Sequence, residues 1–405
     1  MEIVHLVSSG QLGGTEASVI EMVTGVLEME PSWRVGIVTP ERGPFEHRLT
    51  QRGCAVQVLE FPRRFASIGE TGRTRGTRTR LGLSLLAAFP GVVAYRSALG
   101  RVLGGDGHAP DVVHAHGFKM QVLGAVSLPA RARLIWHLHD YLSGRPVSAR
   151  LLRRLSSRVS LMVANSGSVA ADVARICGTR VPIETMYNGV DLTIFTPGGT
   201  RLDLDACGGV APPSRDTLRI GLVGTFGLWK GHRTLLRAIA SLRSQRPVRA
   251  YLIGGAQYQT HGSQISEASL RADAATLGIA DRVVFTGPVI DPAAAMRALD
   301  IVVHASTQPE PFGMVIAEAM ACGRAVVISG AGGAAELVTD GADGLTHGPG
   351  DEAGLAACLQ RLADDDRLRA RLGVAARETA ERRFDRRRLA RQLVPVYRRL
   401  AGSVA

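Results

Sequence analysis

The run Ile301-Val302-Val303-His304, continued by Gln308-Pro309-Glu310-Pro311-Phe312-Gly313-Met314-Val315-Ile316-Ala317-Glu318-Ala319-Met320-Ala321-Cys322-Gly323 and then by Ala325-Val326-Val327-Ile328, decides the fold class. A short apolar run bounded by turn residues is the pattern of a buried parallel strand. Two prolines and a glycine hold Glu310 in a loop at the end of the first strand. A helix then starts near Gly313 and ends at Gly323, a natural residue just past a helix C-terminus. Strand, loop, helix and strand in this order make the unit from which parallel sheets are wound.

The same alternation extends in both directions. Ile220–Val223, Ala250–Ile253 and Val283–Phe285 precede it, with helical stretches between. Before them, Ile3–Val7, Val35–Thr39, Val112–Ala115, Leu134–Leu138 and Leu161–Ala164 form a second series, and the first of these feeds a helix over Thr15–Leu27. Two such series predict two doubly wound α/β sheets. The glycines and prolines of Thr196–Thr217 read as a linker, which divides the chain into residues 1–198, 199–384 and a helical segment, 385–405, packing back on the first domain. Ligands of facing sheets bind where the carboxyl ends of the strands line a cleft.

Composition excludes several classes. With 45% hydrophobic and 21% charged residues, the 405-residue chain can bury sizeable cores and is not a disordered polymer. The start has no basic region or apolar core of a signal peptide, and the apolar stretch near Leu81–Tyr95 is broken by Pro90 and too short to span a bilayer. Five scattered cysteines without CxxC spacing fit neither a disulfide framework nor a zinc site. A cytoplasmic protein is the expectation. The net charge of +12 invites nucleic acid, but only 5% of residues are aromatic and no arginine run carries interleaved rings. Nucleic acid is therefore not the expected partner. Of the 48 basic residues only Lys119 and Lys230 are lysines. A lysine kept against that bias suits a place where a compact ammonium differs from a planar fork.

Four constellations carry possible chemistry. Gly10-Gln11-Leu12-Gly13-Gly14 follows a strand and opens a helix. It is neither GxGxxG nor a Walker loop, yet such glycines let backbone amides approach a phosphate at a helix N-terminus. A tight turn needs glycine with or without a ligand, so this signal stays open. Glu318 lies in the second turn of an apolar helix, where a carboxylate needs a partner such as a pair of sugar hydroxyls. Lys230, in the glycine-bearing loop Val223–Gly231, could neutralise a departing diphosphate. His139 and Asp140 end the Leu134–Leu138 strand, and His114 and His116 pose the same question less clearly. Asp364-Asp365-Asp366 reads as a solvated turn, not a metal site.

With the Glu310-x7-Glu318 spacing in view, the chain resembles the retaining nucleotide-sugar glycosyltransferases of family 4, of the GT-B fold. Gly224…Lys230-Gly231, Gly330–Glu336, Tyr187-Asn188-Gly189-Val190-Asp191 with Phe195, Gly13-Gly14 and His139-Asp140 match in type and order. The resemblance implies two Rossmann-like domains across a deep cleft and transfer of a hexose from a nucleotide-diphosphate sugar to an acceptor hydroxyl in glycoconjugate, glycolipid, polysaccharide or metabolite biosynthesis. It implies that Glu318 binds the ribose and Glu310 the donor sugar, while backbone of Phe312, Gly313, Met314 and Val315 contacts sugar and diphosphate. Lys230 would hold the diphosphate, with Gly13 and Gly14 approaching from the other domain. His139 would sit beside the reacting sugar, and backbone near Val289 would read the base. The family commonly has arginine where this chain has Thr225, which removes one cation from the expected pair. No cofactor and no metal is implied, because the lysine and the helix amides replace the ion.

The acceptor falls to the first domain. Eight arginines and one acid, Glu70, lie between Arg63 and Arg101, and none of the residues from Tyr141 to Ala171 is acidic. Arg150, Arg153, Arg154 and Arg158 recur beside Leu151, Leu152, Leu155 and Val159, the pattern of a basic amphipathic helix. An anionic or lipid-linked acceptor and a peripheral contact with the inner membrane face are the corresponding expectations. A GT-B nucleotide-sugar epimerase and a basic nucleic-acid-binding protein are the rival readings.

Overall fold

The computed structural model describes residues 1–66, 77–104, 109–256 and 263–402, with the backbone alone for 77–86. It contains two compact units, Met1–Gly189 with Arg386–Ala405, and Val190–Asp385. Of the arginine-rich stretch, Arg73 and Arg75 fall outside the described residues, as does Glu70, and of Arg78 and Arg80 only the backbone is described.

The first unit carries a seven-stranded parallel sheet. Its strands are β1 (Glu2–Leu6), β2 (Arg34–Thr39), β3 (Ala55–Val58), β4 (Val112–His116), β5 (Arg133–Leu138), β6 (Leu161–Ala164) and β7 (Ile183–Thr185), in the order β3-β2-β1-β4-β5-β6-β7. The second unit carries β8 (Leu218–Val223), β9 (Val248–Ile253), β10 (Val283–Gly287), β11 (Ile301–His304), β12 (Ala325–Ser329) and β13 (Leu345–His347), ordered β10-β9-β8-β11-β12-β13. Both are doubly wound α/β sheets, as the alternation of strands and helices requires. In each, the strand order reverses once, between β1 and β4 and between β8 and β11. Crevices at the carboxyl ends of such reversal points are where open α/β sheets bind ligands. The three strands that sequence reading passed over, β3, β7 and β13, are the short edges. Ala55–Val58 alternates exposed and half-buried, so it lacks the continuous apolar run that marks the interior strands.

The boundaries differ from the sequence expectation. Residue 198 lies inside the second unit, because Val190 donates to the Phe384 carbonyl (2.7 Å) and the Phe195 carbonyl accepts from Arg377 (2.9 Å). Thr196–Thr217 is not a slack linker either. Arg297, itself 5% exposed, donates to the carbonyls of Thr200 (2.7 Å) and Ile194 (3.0 Å). The short helix Leu204–Cys207 buries Asp205 against Arg219, Arg249 and Tyr251.

The helix Arg386–Gly402 belongs to the first unit. Leu389, Leu393, Val394, Val396 and Tyr397 pack with Met22 and Val26 of the helix Gly14–Met29 over Ile3, Val112 and Ile135. Each such side chain contributes about 1.5–3 kcal/mol on burial. The helices meet closely at Gly25, where a Cβ would stand 2.9 Å from the Arg386 carbonyl oxygen. Arg386 locks the approach through Glu21 (3.0 Å) and Glu28 (2.5 Å). No helix of the described residues is long and apolar enough to cross a membrane.

Candidate functional site

In the second unit the reversal point is built from the loops after β8 and β11. The β8 loop passes Gly224 and Thr225, turns through Leu228–Lys230 and enters the helix His232–Ser241 at Gly231. Gly231 has φ +73°, and a Cβ on it would stand 1.8 Å from the Ala305 carbonyl oxygen. Only glycine permits both the left-handed backbone and that approach. Thr307 then donates to the Trp229 carbonyl at 2.7 Å. The two loops are thereby fastened together.

This fastening brings Lys230 to Glu310. Lys230 Nζ donates to Glu310 Oε1 at 2.6 Å, and Ser306 Oγ donates to the same oxygen at 2.5 Å. His304 Nε2 stands 3.4 Å from Oε2. Glu310 is buried, and its backbone carbonyl accepts from Gly333 at 2.7 Å, so the residue is held at both ends. Burial alone would raise its pKa, but the Lys230 ammonium and His304 hold the carboxyl well below the usual carboxylate range. Glu310 is an anion with one cation against it, in a pocket that also offers a hydroxyl.

Beyond Glu310, buried Phe312 packs edge-on against Phe384 with ring centroids 6.0 Å apart. Gly313 follows with φ +94° and opens the helix Met314–Ala321 without a side-chain cap. The first-turn amides are therefore not spent on a capping side chain, and the helix dipole favours an anion before them. Glu318 lies half-buried on this helix, which ends as its sequence suggested, with Gly323 in the left-handed conformation after Cys322. Thr225 is half-buried in the β8 loop, and its carbonyl accepts from Gly227 at 2.7 Å. Val289 is half-buried just past the end of β10. From β10 through β9 and β8 to β11 is three strand intervals, about 14 Å. Val289 and Glu310 thus mark the two ends of a row of loops long enough for an extended ligand.

In the first unit, the reversal point is flanked by the Gly10–Gly14 turn after β1. Glu41 Oε1 accepts from Gly10 N (3.1 Å) and Ser9 Oγ (3.2 Å), while Glu16 Oε2 accepts from Gly13 N (3.2 Å). Burial raises the Glu16 carboxyl to about 7 against the backbone bonds from Glu16 itself and from Gly13, and the Glu41 charge adds to the rise. Gly14 is exposed, and a Cβ on it would meet nothing within 4 Å. His139 is half-buried beyond β5, with Nε2 3.0 Å from His116 Nδ1 and its ring stacked on His137. Asp140 beside it is paired with Arg145 at 2.7 Å. Lys119 is a clamp: it donates to the carbonyls of Phe65 (3.0 Å) and Ala66 (2.8 Å) beside the Phe61 and Phe65 rings.

Lys230, Glu310 and the Phe312–Val315 segment come together in the second unit, whereas Gly13, Gly14 and His139 belong to the first. Ser306, His304 and Glu16 escaped the sequence reading. Ser306 and His304 sit at the end of the strand that carries Glu310, which was the available signal.

Comparison with known proteins adds the following. The family described as "Glycosyltransferase Family 4" matches residues 12–194, and the one described as "Glycosyl transferases group 1" matches 217–365. The D-inositol 3-phosphate glycosyltransferase 2 of Catenulispora acidiphila is 37% identical over 219 residues, which cover 50% of this chain and 49% of that protein. The chain thus spans about half the length of the first curated relatives it matches. The D-inositol 3-phosphate glycosyltransferase of Kribbella flavida is 28% identical over 402 residues, 87% of this chain and 92% of that protein. Anabaena HepE, solved in complex with UDP-glucose, is 28% identical with a TM-score of 0.77, covering 98% of this chain and 99% of its own.

Proposed function

The chain belongs to glycosyltransferase family 4 and has the GT-B fold, and from that premise we propose that it moves a sugar from a nucleotide-diphosphate sugar to an acceptor hydroxyl with retention of anomeric configuration. The observation that carries the reading is the Lys230–Glu310 pair at the β8/β11 reversal point, directly before the uncapped helix at Gly313.

Each group has a task that its chemistry suits. Lys230 and the amides of Met314 and Val315 take the negative charge that grows on the diphosphate as the bond from the sugar's anomeric carbon to the phosphate oxygen breaks. Glu310, held ionised, accepts hydrogen bonds from hydroxyls of the donor sugar, and Glu318 from those of the ribose. The departing phosphate oxygen takes the acceptor's hydroxyl proton while the acceptor oxygen bonds the anomeric carbon from the same face. His139 stands beside the sugar, and the Gly13 and Gly14 amides approach the diphosphate. Lys230 and the amides supply the charge stabilisation that a metal ion would otherwise provide. Backbone near Val289 reads the base, and the UDP-bound neighbour supports a uridine donor.

The acceptor is proposed to be anionic. The relatives named for an inositol phosphate support a phosphorylated acceptor, as do the exposed Arg150, Arg153 and Arg154 on the helix Pro146–Leu155. Leu151 is 43% exposed and Val147 36%, one turn apart on that helix, which supports peripheral contact with an anionic membrane.

The test is calorimetric binding of UDP, UDP-glucose, GDP and GDP-mannose, followed by transfer assays on Glu318→Ala and Glu310→Gln. Micromolar donor binding weakened by Glu318→Ala, with transfer abolished but fold kept in Glu310→Gln, is expected. No nucleotide-sugar binding, or product formed from donor alone, overturns the reading. Flotation with anionic liposomes at low salt tests the membrane contact.

A further inference from the structure

Five of the eleven histidines gather on one face of the first sheet. Their placement follows from strand alternation: Ile3 and His5, Val112, His114 and His116, Ile135, His137 and His139 share the face that the helices Gly14–Met29 and Arg386–Gly402 cover. Register puts His5 opposite His114 and His116 opposite His137. Ile3, Val112 and Ile135 form the apolar layer below, and the imidazoles form the next layer towards the carboxyl ends of the strands.

A buried imidazole layer is expensive unless its nitrogens are used. His5 Nδ1 bonds His116 Nε2 at 3.0 Å, His116 Nδ1 bonds His139 Nε2 at 3.0 Å, and His114 Nδ1 bonds the Tyr397 hydroxyl at 2.7 Å. Among the described residues, His114 Nε2, His139 Nδ1 and both nitrogens of His137 have no hydrogen-bond partner, although His114 and His137 are 0% exposed. Each such orphaned group costs about 1–3 kcal/mol. Packing alone does not call for it, since isoleucine and valine fill the layer below.

We propose that this patch is a transition-metal site, with His116, His137 and His139 as ligands. One ring nitrogen from each already lies within 4.8 Å of the others, and His5, His114 and His116 form a second such group that shares His116. Closing on an ion at about 2.0–2.1 Å from each ligand needs these nitrogens to converge further. Ligation through His116 Nδ1 leaves its Nε2–H to donate to His5 Nδ1, so His5 would orient the ligand in the way that supports metal-bound histidines. The donor set is all imidazole, without thiolate or carboxylate. That selects zinc, copper or nickel over magnesium or calcium, and three protein ligands leave a fourth position open.

The test uses untagged full-length protein stripped with a chelator and titrated with Co²⁺ and then Zn²⁺. The expected result is uptake of one equivalent with submicromolar affinity, visible cobalt d–d bands that zinc displaces, and a rise in melting temperature with zinc but not magnesium. His139→Gln, at a half-buried position with folding checked by circular dichroism, should weaken uptake at least tenfold. His47→Ala, at an exposed surface position, should leave it unchanged. Absence of stoichiometric cobalt or zinc uptake by the wild-type protein overturns the proposal, as does uptake that persists unchanged in folded His139→Gln. UDP-glucose binding measured in parallel separates this outcome from failure of the glycosyltransferase reading.

Discussion

Lys230 Nζ and Glu310 Oε1, eighty positions apart in the chain, meet at 2.6 Å because β8 and β11 are neighbours in the sheet and their loops are fastened at Gly231 and Thr307. The pair holds two opposite charges that a diphosphate sugar would each engage separately. The contact holds both side chains towards the same place, which lowers the cost of ordering them on binding.

That contact should be energetically coupled. Lys230→Met leaves Glu310 buried without its cation, whereas Glu310→Gln leaves a lysine that can turn to water. A double-mutant cycle by urea denaturation should return a coupling of about 1–3 kcal/mol, with Lys230→Met the costlier single change. Additive single effects would show that the pair does not act as a unit.

Gly231→Ala should disturb fold and site together. The left-handed backbone costs about 1–2 kcal/mol for an L-residue, and the clash with the Ala305 carbonyl adds to it. Gly209→Ala is the control, since its φ is +66° but a Cβ there meets nothing within 4 Å. Thermal melting should fall distinctly further in Gly231→Ala, with donor binding lost only there.

Asp205 ties Arg219 (2.6 Å), Arg249 (2.8 Å) and Tyr251 (2.9 Å) beneath the second sheet. Asp205→Ala takes the shared carboxylate from both guanidinium groups, leaving Arg249 the Ala211 carbonyl alone, at a cost of about 2–4 kcal/mol. Burial works against its ionisation, but Arg249, Tyr251 and Arg219 lower the carboxyl's pKa below the ordinary value overall. The unfolded chain therefore holds the proton more tightly. The stabilisation is fully present above about pH 4 and lost as pH falls through the folded pKa. Chemical denaturation from pH 3 to 7 should show a shallower acid decline in Asp205→Asn than in the wild type.

Glu16 predicts a pH effect on the donor. Its carboxyl, raised to about 7, accepts from the Gly13 amide and becomes charged as pH climbs through neutrality. The charge then competes with a diphosphate for that amide. UDP-glucose, whose diphosphate does not titrate there, should bind more weakly at pH 8 than at pH 6. Glu16→Gln should flatten the dependence.

The interior strands and the helix ending at Gly323 were legible because apolar runs and glycine punctuation carry local information. The edge strands β3, β7 and β13 were not, since they are short and partly exposed and so look like loops. Glu310 and Lys230 were each visible as strand-end residues, but their contact depends on strand order, which no local pattern states. The domain boundary misled for a related reason. The glycines and prolines of Thr196–Thr217 resemble a linker until Arg297 and the Asp205 cluster are seen to bind it down. The histidine layer needed three strands in register, so each histidine considered alone looked ordinary.

The return of Arg386–Gly402 to the first unit has a consequence for biosynthesis. On the ribosome, residues 190–385 must be translated between the first unit's sheet and the helix that covers it, roughly 10–40 seconds at 5–20 residues per second. Until then Met22, Val26, Ile3, Val112 and Ile135 lack their apolar cover, while the second unit already has its whole sequence and can complete its own core. The half of the molecule translated first is therefore the last to be finished, and its uncovered face is a natural client for a chaperone during that interval.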